Sequence, residues 1–100
     1  MKPLIPLIFL TIPLAACSAS PAPEFSGATR TEVTRAGRQY VVYQKGDRVE
    51  VIRLGHARNG EHAAIRATMI ALVPEVTGCA LRPSTLKGDS GEMRGSLTCG

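Results

Sequence analysis

The chain has no tryptophan, and aromatic residues make up only 4% of its 100 residues. Charged residues make up 20%, and twelve basic residues outnumber eight acidic ones, for a formal net charge of +4. These values exclude long coiled coils, collagen-like repeats and highly charged disordered chains. A chain of this length forms one domain at most. Such a domain buries only about 60% of its unfolded surface, which disfavours a large enzyme with a deep cleft.

The one long apolar run lies at the N-terminus. Residues 1–16 read MKPLIPLIFLTIPLAA, with a positive charge at Lys2, an apolar stretch and small residues at the end. This order is typical of an export signal, and the run is shorter than the about 20 residues that a membrane-spanning helix needs. We therefore expect residues 1–16 to be a signal peptide.

The segment Leu14-Ala15-Ala16-Cys17 directly follows this run and resembles the lipobox of bacterial lipoproteins. The resemblance covers residues 1–17 alone. It implies cleavage before Cys17, a diacylglyceryl thioether on its sulfur and acylation of the new amino group. Several acyl chains give durable anchoring, because each buried CH₂ contributes roughly 0.8 kcal/mol. Ser18 implies, by resemblance to enterobacterial lipoproteins, the inner leaflet of the outer membrane, facing the periplasm, although the inner membrane stays open.

Residues 17–30 are expected to be the lipidated N-terminus and a flexible tether. Small residues and prolines, as in the sequence SASPAPEFSGA, favour an extended and solvated chain. Phe25 is the one large apolar residue there, and both docking on the domain and exposure to solvent remain open. The folded domain is then expected over residues 31–100.

Two cysteines remain if Cys17 carries lipid. An exported protein in an oxidising compartment is expected to join Cys79 to Cys99 in a disulfide. Metal binding by this pair is the rival interpretation, but no CxxC motif accompanies it and the chain has only two histidines.

The sequence KGDSG at residues 87–91 predicts a tight turn between these two cysteines. A hairpin centred on Asp89 brings direct cross-strand partners close enough for a bridge. The expected partners are Cys79 with Cys99, Leu81 with Leu97, and Thr85 with Met93.

The rest of the domain reads as strands followed by a helix. Residues 31–35, 38–44 and 48–54 favour strands, the last two forming a hairpin with one wet face. Residues 60–73 favour a helix with Asn59 as its cap, ending at Pro74 or continuing to Val76. Its predicted buried stripe is Ile65, Met69, Leu72 and Val73.

The order predicts an α+β fold: a small antiparallel sheet of two or three strands, one helix packed on a face, then a C-terminal hairpin, with a single disulfide. The far side of the helix is small and apolar, and it is either covered by a loop or a self-association surface. That side consists of Ala63, Ala67, Ile70 and Ala71.

No residue set predicts catalysis. Residues 88–91 resemble the Gly-Asp-Ser-Gly around the nucleophile of trypsin-like proteases, but the chain is too short for the two barrels of that family, so we interpret them as a turn. His56 and His62 are six residues apart, which does not suit a metal pair on one helix. The carboxylates Glu32, Asp47, Glu50 and Glu61 show no paired spacing.

Arginine dominates the basic residues, and it suits bidentate contact with phosphate or carboxylate. The anions at an outer membrane are lipid headgroups, lipopolysaccharide phosphates and peptidoglycan carboxylates; an ordinary solvated face is the alternative. Nucleic acid is not expected, because the chain is exported and lacks aromatic stacking residues. The candidate anion-binding residues are Arg38, Arg48, Arg53 and Arg94.

We therefore expect a non-enzymatic binding or assembly module of the cell envelope, without metal or cofactor, held in the bilayer through Cys17. Its expected partners are envelope proteins, lipopolysaccharide or peptidoglycan. The alternative is a small envelope hydrolase or hydrolase inhibitor, for which His56, Ser90 and a carboxylate would have to converge. The oligomeric state is open, and a homodimer through the helix face is a third hypothesis.

Overall fold

One helix and six short strands make up residues 20–100, the part of the chain that the computed structural model describes. The strands are β1 (Thr29–Arg35), β2 (Arg38–Lys45), β3 (Arg48–Arg53), β4 (Ala80–Leu81), β5 (Lys87–Gly88) and β6 (Glu92–Thr98), and helix α1 spans His62–Thr77. Two 3₁₀ turns lie at Pro23–Phe25 and Pro83–Thr85. The predicted signal peptide and Cys17 lie outside the described residues.

The first three strands form two consecutive hairpins. Ala36 and Gly37 have positive φ angles of 54° and 75°, which a two-residue hairpin turn requires, and Gly46 has a φ of 60° at the next turn. Strands β2 and β3 are rich in β-branched and aromatic residues, which favour extended backbone. The β2–β3 hairpin follows the prediction. Strand β1 begins two residues earlier than predicted, at Thr29, and forms a second hairpin with β2.

The sheet is antiparallel throughout, in the order β1-β2-β3-β6-β4, with β5 pairing along another part of β6. Strands β3 and β6 are neighbours in the sheet but not in sequence. The chain between them forms α1, β4 and β5. The α+β class with one helix is confirmed. The strand count differs from the prediction, because three short strands follow the helix in place of a simple hairpin.

Helix α1 packs on one face of the sheet, which we call the inner face. The predicted stripe of α1 is confirmed, since all four of its residues are buried. The buried cluster on this face is Tyr40, Val42, Val49, Val51, Ile65, Met69, Leu72, Val73, Cys79, Met93 and Leu97.

The ends of α1 differ in part from the prediction. The residue that precedes its first turn is Glu61 and not Asn59, and it makes no side-chain cap hydrogen bond. At the other end the helix runs through Pro74 and ends at Thr77, and the residue that caps it is Gly78, whose φ is 72°. The Gly78 N–H donates to the Pro74 carbonyl at 2.9 Å, so the left-handed glycine terminates the helix.

The predicted disulfide is confirmed: Cys79 and Cys99 are bonded, with their Cα atoms 4.5 Å apart. The pairing of Leu81 with Leu97 is also confirmed.

The pairing of Thr85 with Met93 is wrong, because Gly88 faces Met93 instead. Pro83 has no N–H to give to a ladder, and the 3₁₀ turn that it begins inserts extra residues between β4 and β5. The Thr85 hydroxyl accepts the Ser96 N–H at 2.8 Å, so a side chain replaces the missing backbone partner.

The opposite face of the sheet, which we call the outer face, is covered by the segment that precedes β1. Phe25 is only 1% exposed and packs with Val41, Tyr43 and Ile52. The expectation of a wet face on the β2–β3 hairpin is therefore wrong, since the four central residues of β3 are all buried. Of the segment predicted to be a tether, the part from Ala22 onward contacts the sheet.

Candidate functional site

An open cleft of about 640 Å³ lies where the end of β3, the first turns of α1 and the turn before β6 meet. We call it the helix-end cleft. Its lining residues are Arg53, His62, Ala63, Arg66, Gly88, Asp89, Ser90 and Gly91.

The turn at one side of this cleft is held by the side chain of Asp89. Its Oδ1 accepts the N–H of Gly91 at 2.8 Å and the N–H of Glu92 at 3.3 Å. These hydrogen bonds hold the pKa of the Asp89 carboxyl below its usual range, and the nearby charges of Arg53 and His62 lower it further. The residues that resemble a protease motif thus form the predicted turn.

Gly88 is required at its position in this turn. Its φ is 107°, and a Cβ there would overlap the backbone of Glu92 and Met93. The close approach fixes the turn against β6, and it fixes Ser90 at the mouth of the cleft.

Ser90 and His62 are in direct contact within the cleft. His62 Nδ1 lies 2.6 Å from Ser90 Oγ, and Ser90 is 9% exposed. Arg53 Nη1 donates to the Ser90 carbonyl at 2.9 Å and to its hydroxyl at 3.4 Å. The histidine beside Ser90 is therefore His62; His56 is exposed, and its carbonyl accepts a hydrogen bond from Arg38.

A serine beside a histidine meets the first requirement for a nucleophile, but a second requirement is an orienting group on the histidine. Among residues 20–100, no carboxylate is hydrogen-bonded to His62. The Oδ1 of Asp89 accepts the N–H of Gly91 within its own turn instead. Arg53 also donates to the same hydroxyl. The arrangement fixes a hydroxyl in place beside a guanidinium, which suits hydrogen bonding to a ligand.

Two arginines of the cleft have no acidic partner. Within the described chain neither Arg53 nor Arg66 forms an ion pair. Both donate to backbone carbonyls instead: Arg53 to Gly55 at 3.2 Å and Arg66 to Gly88 at 3.3 Å. These bonds orient the guanidinium groups without an ion pair, although the carboxylate of Asp89 in the same cleft interacts with the charge of Arg53 at longer range.

The other three arginines predicted to bind anions each face a carboxylate. Arg38 pairs with Glu61 at 3.2 Å, Arg48 with Glu24 at 3.2 Å, and Arg94 with Glu92 at 2.8 Å. The last pair is a close contact without a well-aligned hydrogen bond. The four predicted arginines thus do not form one site, and only Arg53 among them lines the helix-end cleft.

Two of them, Arg48 and Arg94, line a second cleft of about 400 Å³ on the outer face. We call it the outer-face cleft. Lys87 and the hydroxyl residues Thr85 and Ser96 complete its lining.

A buried carboxyl lies beside this second cleft. Glu50 is only 2% exposed, and its Oε1 accepts the N–H of Ala22 at 3.0 Å. Burial, and next a hydrogen bond with the Glu92 carboxyl, raise the pKa of Glu50 to about 7. Sequence spacing did not indicate this pair, because the two residues become neighbours only when β3 pairs with β6.

The helix face predicted for self-association is open in part. Ala63, Ala67 and Ala71 are exposed, whereas Ile70 is half-buried and packs on the inner core. Ala63 also lines the helix-end cleft.

Among residues 20–100, no three His, Cys, Asp or Glu side chains converge as metal ligands, and no helix has the length and apolar character to cross a bilayer. Comparisons of the chain with protein-family models, with curated proteins and with solved structures find no match.

Proposed function

We propose that this protein is a lipid-anchored binding module of the bacterial cell envelope, and that the helix-end cleft binds an anionic group of its partner. The anchoring proposal rests on the resemblance of Leu14-Ala15-Ala16-Cys17 to a lipobox. The binding proposal rests on one observation: Arg53 and Arg66, both without a carboxylate partner in the described chain, line the same open cleft.

The donors around this cleft suit a phosphate or carboxylate group. A guanidinium presents several N–H groups in a planar fork, and charge-assisted hydrogen bonds are about twice as strong as neutral ones. The first N–H groups of α1 have no partner within the helix, and Glu61 makes no side-chain cap hydrogen bond to them. The positive end of the helix dipole adds to the attraction of an anion there. Lipopolysaccharide phosphates and peptidoglycan carboxylates are the envelope groups of this chemistry.

The binding proposal is tested by titrating the full mature protein with purified lipopolysaccharide and with soluble peptidoglycan fragments. We expect Arg53→Gln and Arg66→Gln each to weaken binding of one of these ligands about tenfold, because each removes a charge-assisted contact. Arg58→Gln is the matched control, since Arg58 is exposed and lies outside the cleft lining. Equal affinity of all three variants and the unaltered protein for both ligands would contradict the proposal.

The anchoring proposal has a separate test. We expect the unaltered chain to float with membranes in a density gradient and to carry a lipid on Cys17 by mass spectrometry, and Cys17→Ala to lack that lipid. An unmodified Cys17 on the exported protein would contradict anchoring.

One contact favours the alternative of a small envelope hydrolase, namely the 2.6 Å approach of His62 to Ser90. A serine-directed fluorophosphonate separates the two functions. The binding proposal predicts no labelling of Ser90, because its hydroxyl is held by Arg53 and His62 has no carboxylate to orient it in the described chain. Covalent labelling that disappears in Ser90→Ala would favour the hydrolase.

A further inference from the structure

The N-terminal segment is attached to the outer face at defined points. The Ala22 N–H donates to Glu50 at 3.0 Å, Glu24 pairs with Arg48, and Phe25 is buried. Ala22 is therefore held on the outer face, beside β3.

The lipid that we propose on Cys17 would lie close to this point. Ala22 lies five positions after Cys17, and five residue-to-residue steps span at most about 17 Å. If Cys17 sits in the membrane, the outer face beside β3 is within that distance of the headgroups. The inference below rests on this part of the proposed function.

The outer-face cleft lies on the same face of the sheet as the N-terminal segment, and several of its N–H and O–H donors have no acceptor among the described residues. Lys87 is exposed and makes no ion pair within residues 20–100. Arg94 contacts Glu92 through Nε, and its terminal nitrogens have no partner among the described residues. Ser96 Oγ accepts from Arg48 at 3.0 Å, so its own proton remains to be donated.

The charges of this cleft favour an anion. Arg48, Lys87 and Arg94 contribute three positive charges, and the carboxylates paired with them are Glu24 and Glu92. A third carboxyl, that of Glu50, is buried beside the cleft near Arg94, and its pKa is raised to about 7. Below that pH Glu50 is mainly protonated, so one positive charge is left over, that of Lys87, which has no ion-pair partner in the described chain.

We infer that the outer-face cleft binds the phosphate of an anionic lipid headgroup in the membrane that holds the anchor. Lys87 and Arg94 donate to the phosphate oxygens, while Arg48 remains paired with Glu24 and keeps the N-terminal segment in place. Arg48 and Arg53 lie at opposite ends of β3 and on opposite faces, so the helix-end cleft then faces away from the bilayer.

The test uses the lipidated full mature protein in vesicles and measures acylation of lysine amines by mass spectrometry. An Arg58→Lys background supplies a reporter lysine outside both clefts. In vesicles that contain phosphatidylglycerol, we expect acylation of Lys87 to fall about fivefold relative to vesicles of phosphatidylcholine alone, with no change at the reporter. Equal acylation of Lys87 in both vesicles overturns the inference.

Two further arms identify the ligand and the residues. Inorganic phosphate added to phosphatidylcholine vesicles is expected to leave Lys87 acylation unchanged; protection equal to that of phosphatidylglycerol would show a free-anion site and overturn the lipid assignment. Arg94→Gln is expected to remove most of the protection, and Arg30→Gln, which removes the same charge from the outer face outside the cleft, is expected to leave it intact. Equal effects of the two substitutions contradict a localised site.

Flotation with the vesicles separates failure of the inference from failure of the proposed function. A protein that floats without protection of Lys87 retains the anchor and lacks the headgroup site. A protein that does not float with either vesicle lacks the anchor. The anchoring proposal and the headgroup inference are then both wrong.

Discussion

A helix of sixteen residues covers the inner face of the sheet, whereas the outer face is covered by the short segment that precedes β1. The inner cluster is almost wholly apolar, while the outer face combines the contacts of Phe25 with a buried carboxyl and three ion pairs. The periodic helix buries one continuous stripe, but the N-terminal segment depends on a few separate contacts. The inner face should therefore determine whether the chain folds. The outer face should determine how the stability of the fold changes with conditions.

The largest effect is expected on the inner face. Met69 is 0% exposed at the centre of α1, so Met69→Ala should lower the free energy of unfolding by about 4 kcal/mol. In a domain of this size such a loss leaves little stability. Urea denaturation followed by circular dichroism measures it, and a loss below about 1 kcal/mol would contradict the central place of Met69.

Truncation on the outer face should cost less. Phe25→Ala is expected to lower the free energy of unfolding by about 2 kcal/mol, below the usual value for a buried phenylalanine, because the segment can detach while the sheet persists. Hydrogen exchange distinguishes the two substitutions. In Phe25→Ala we expect fast exchange at residues 22–28, while the amides of β2 and β3 stay protected. Loss of protection throughout the sheet would contradict the distinction between the two faces.

The pH dependence should come from the outer face. The ordinary pKa of a glutamate is 4.5, and burial with the Glu92 contact raises the pKa of Glu50 to about 7 in the folded chain. The folded state thus binds the proton more tightly than the unfolded state, and stability falls as pH rises from about 4.5 to about 7. The loss should be about 3 kcal/mol, since each pKa unit corresponds to about 1.4 kcal/mol. Carboxyls with a lowered pKa, such as those of Glu24 and Glu75, act in the opposite direction and at pH values below this window.

Glu50→Gln keeps an acceptor for the Ala22 N–H but cannot ionise. We expect this variant to show a flat stability between pH 5 and 8, measured by thermal unfolding, and to exceed the unaltered protein at pH 8. A decline in the variant as steep as in the unaltered protein would assign the effect to another group.

The smallest effect is expected at the surface pair that joins β1 to α1. Arg35 and Glu75 meet through two hydrogen bonds of 2.9 and 2.6 Å, but both side chains are about half exposed. Exposed ion pairs contribute between about 0 and 1 kcal/mol, so Arg35→Gln should change the free energy of unfolding by about 0.5 kcal/mol or less. A double-mutant cycle with Glu75→Gln measures the coupling, and a coupling above about 2 kcal/mol would place the pair among the main contacts.

The sequence predicted the inner face well because its signals are local or periodic. The stripe from Ile65 to Val73 repeats with the helix, and the cysteines meet because the residues next to them pair in the expected register. The sequence pattern does not predict the register of β5, because the 3₁₀ turn at Pro83–Thr85 adds residues between β4 and β5, which both pair with β6.

The outer face and the site depend on tertiary contacts that spacing does not encode. Nothing near Phe25 distinguishes a docked segment from a solvated one, although the continuous apolar run of β2 is typical of a strand covered on both faces. His62 and Arg66 are one helical turn apart, which places both on the same side of α1, but the turn that they face is known only once β6 joins β3.

The docking of the N-terminal segment also limits how far Cys17 can lie from the folded domain. With Ala22 held on Glu50, Cys17 is five positions away along the chain and can lie at most about 17 Å from Ala22. If the segment detaches up to β1, the last held residue is Thr29, twelve positions from Cys17, and the largest possible distance rises to about 40 Å. If Cys17 carries the proposed lipid, the domain therefore has a short and a long maximum distance from the membrane, and the protonation state of Glu50 shifts the balance between the two.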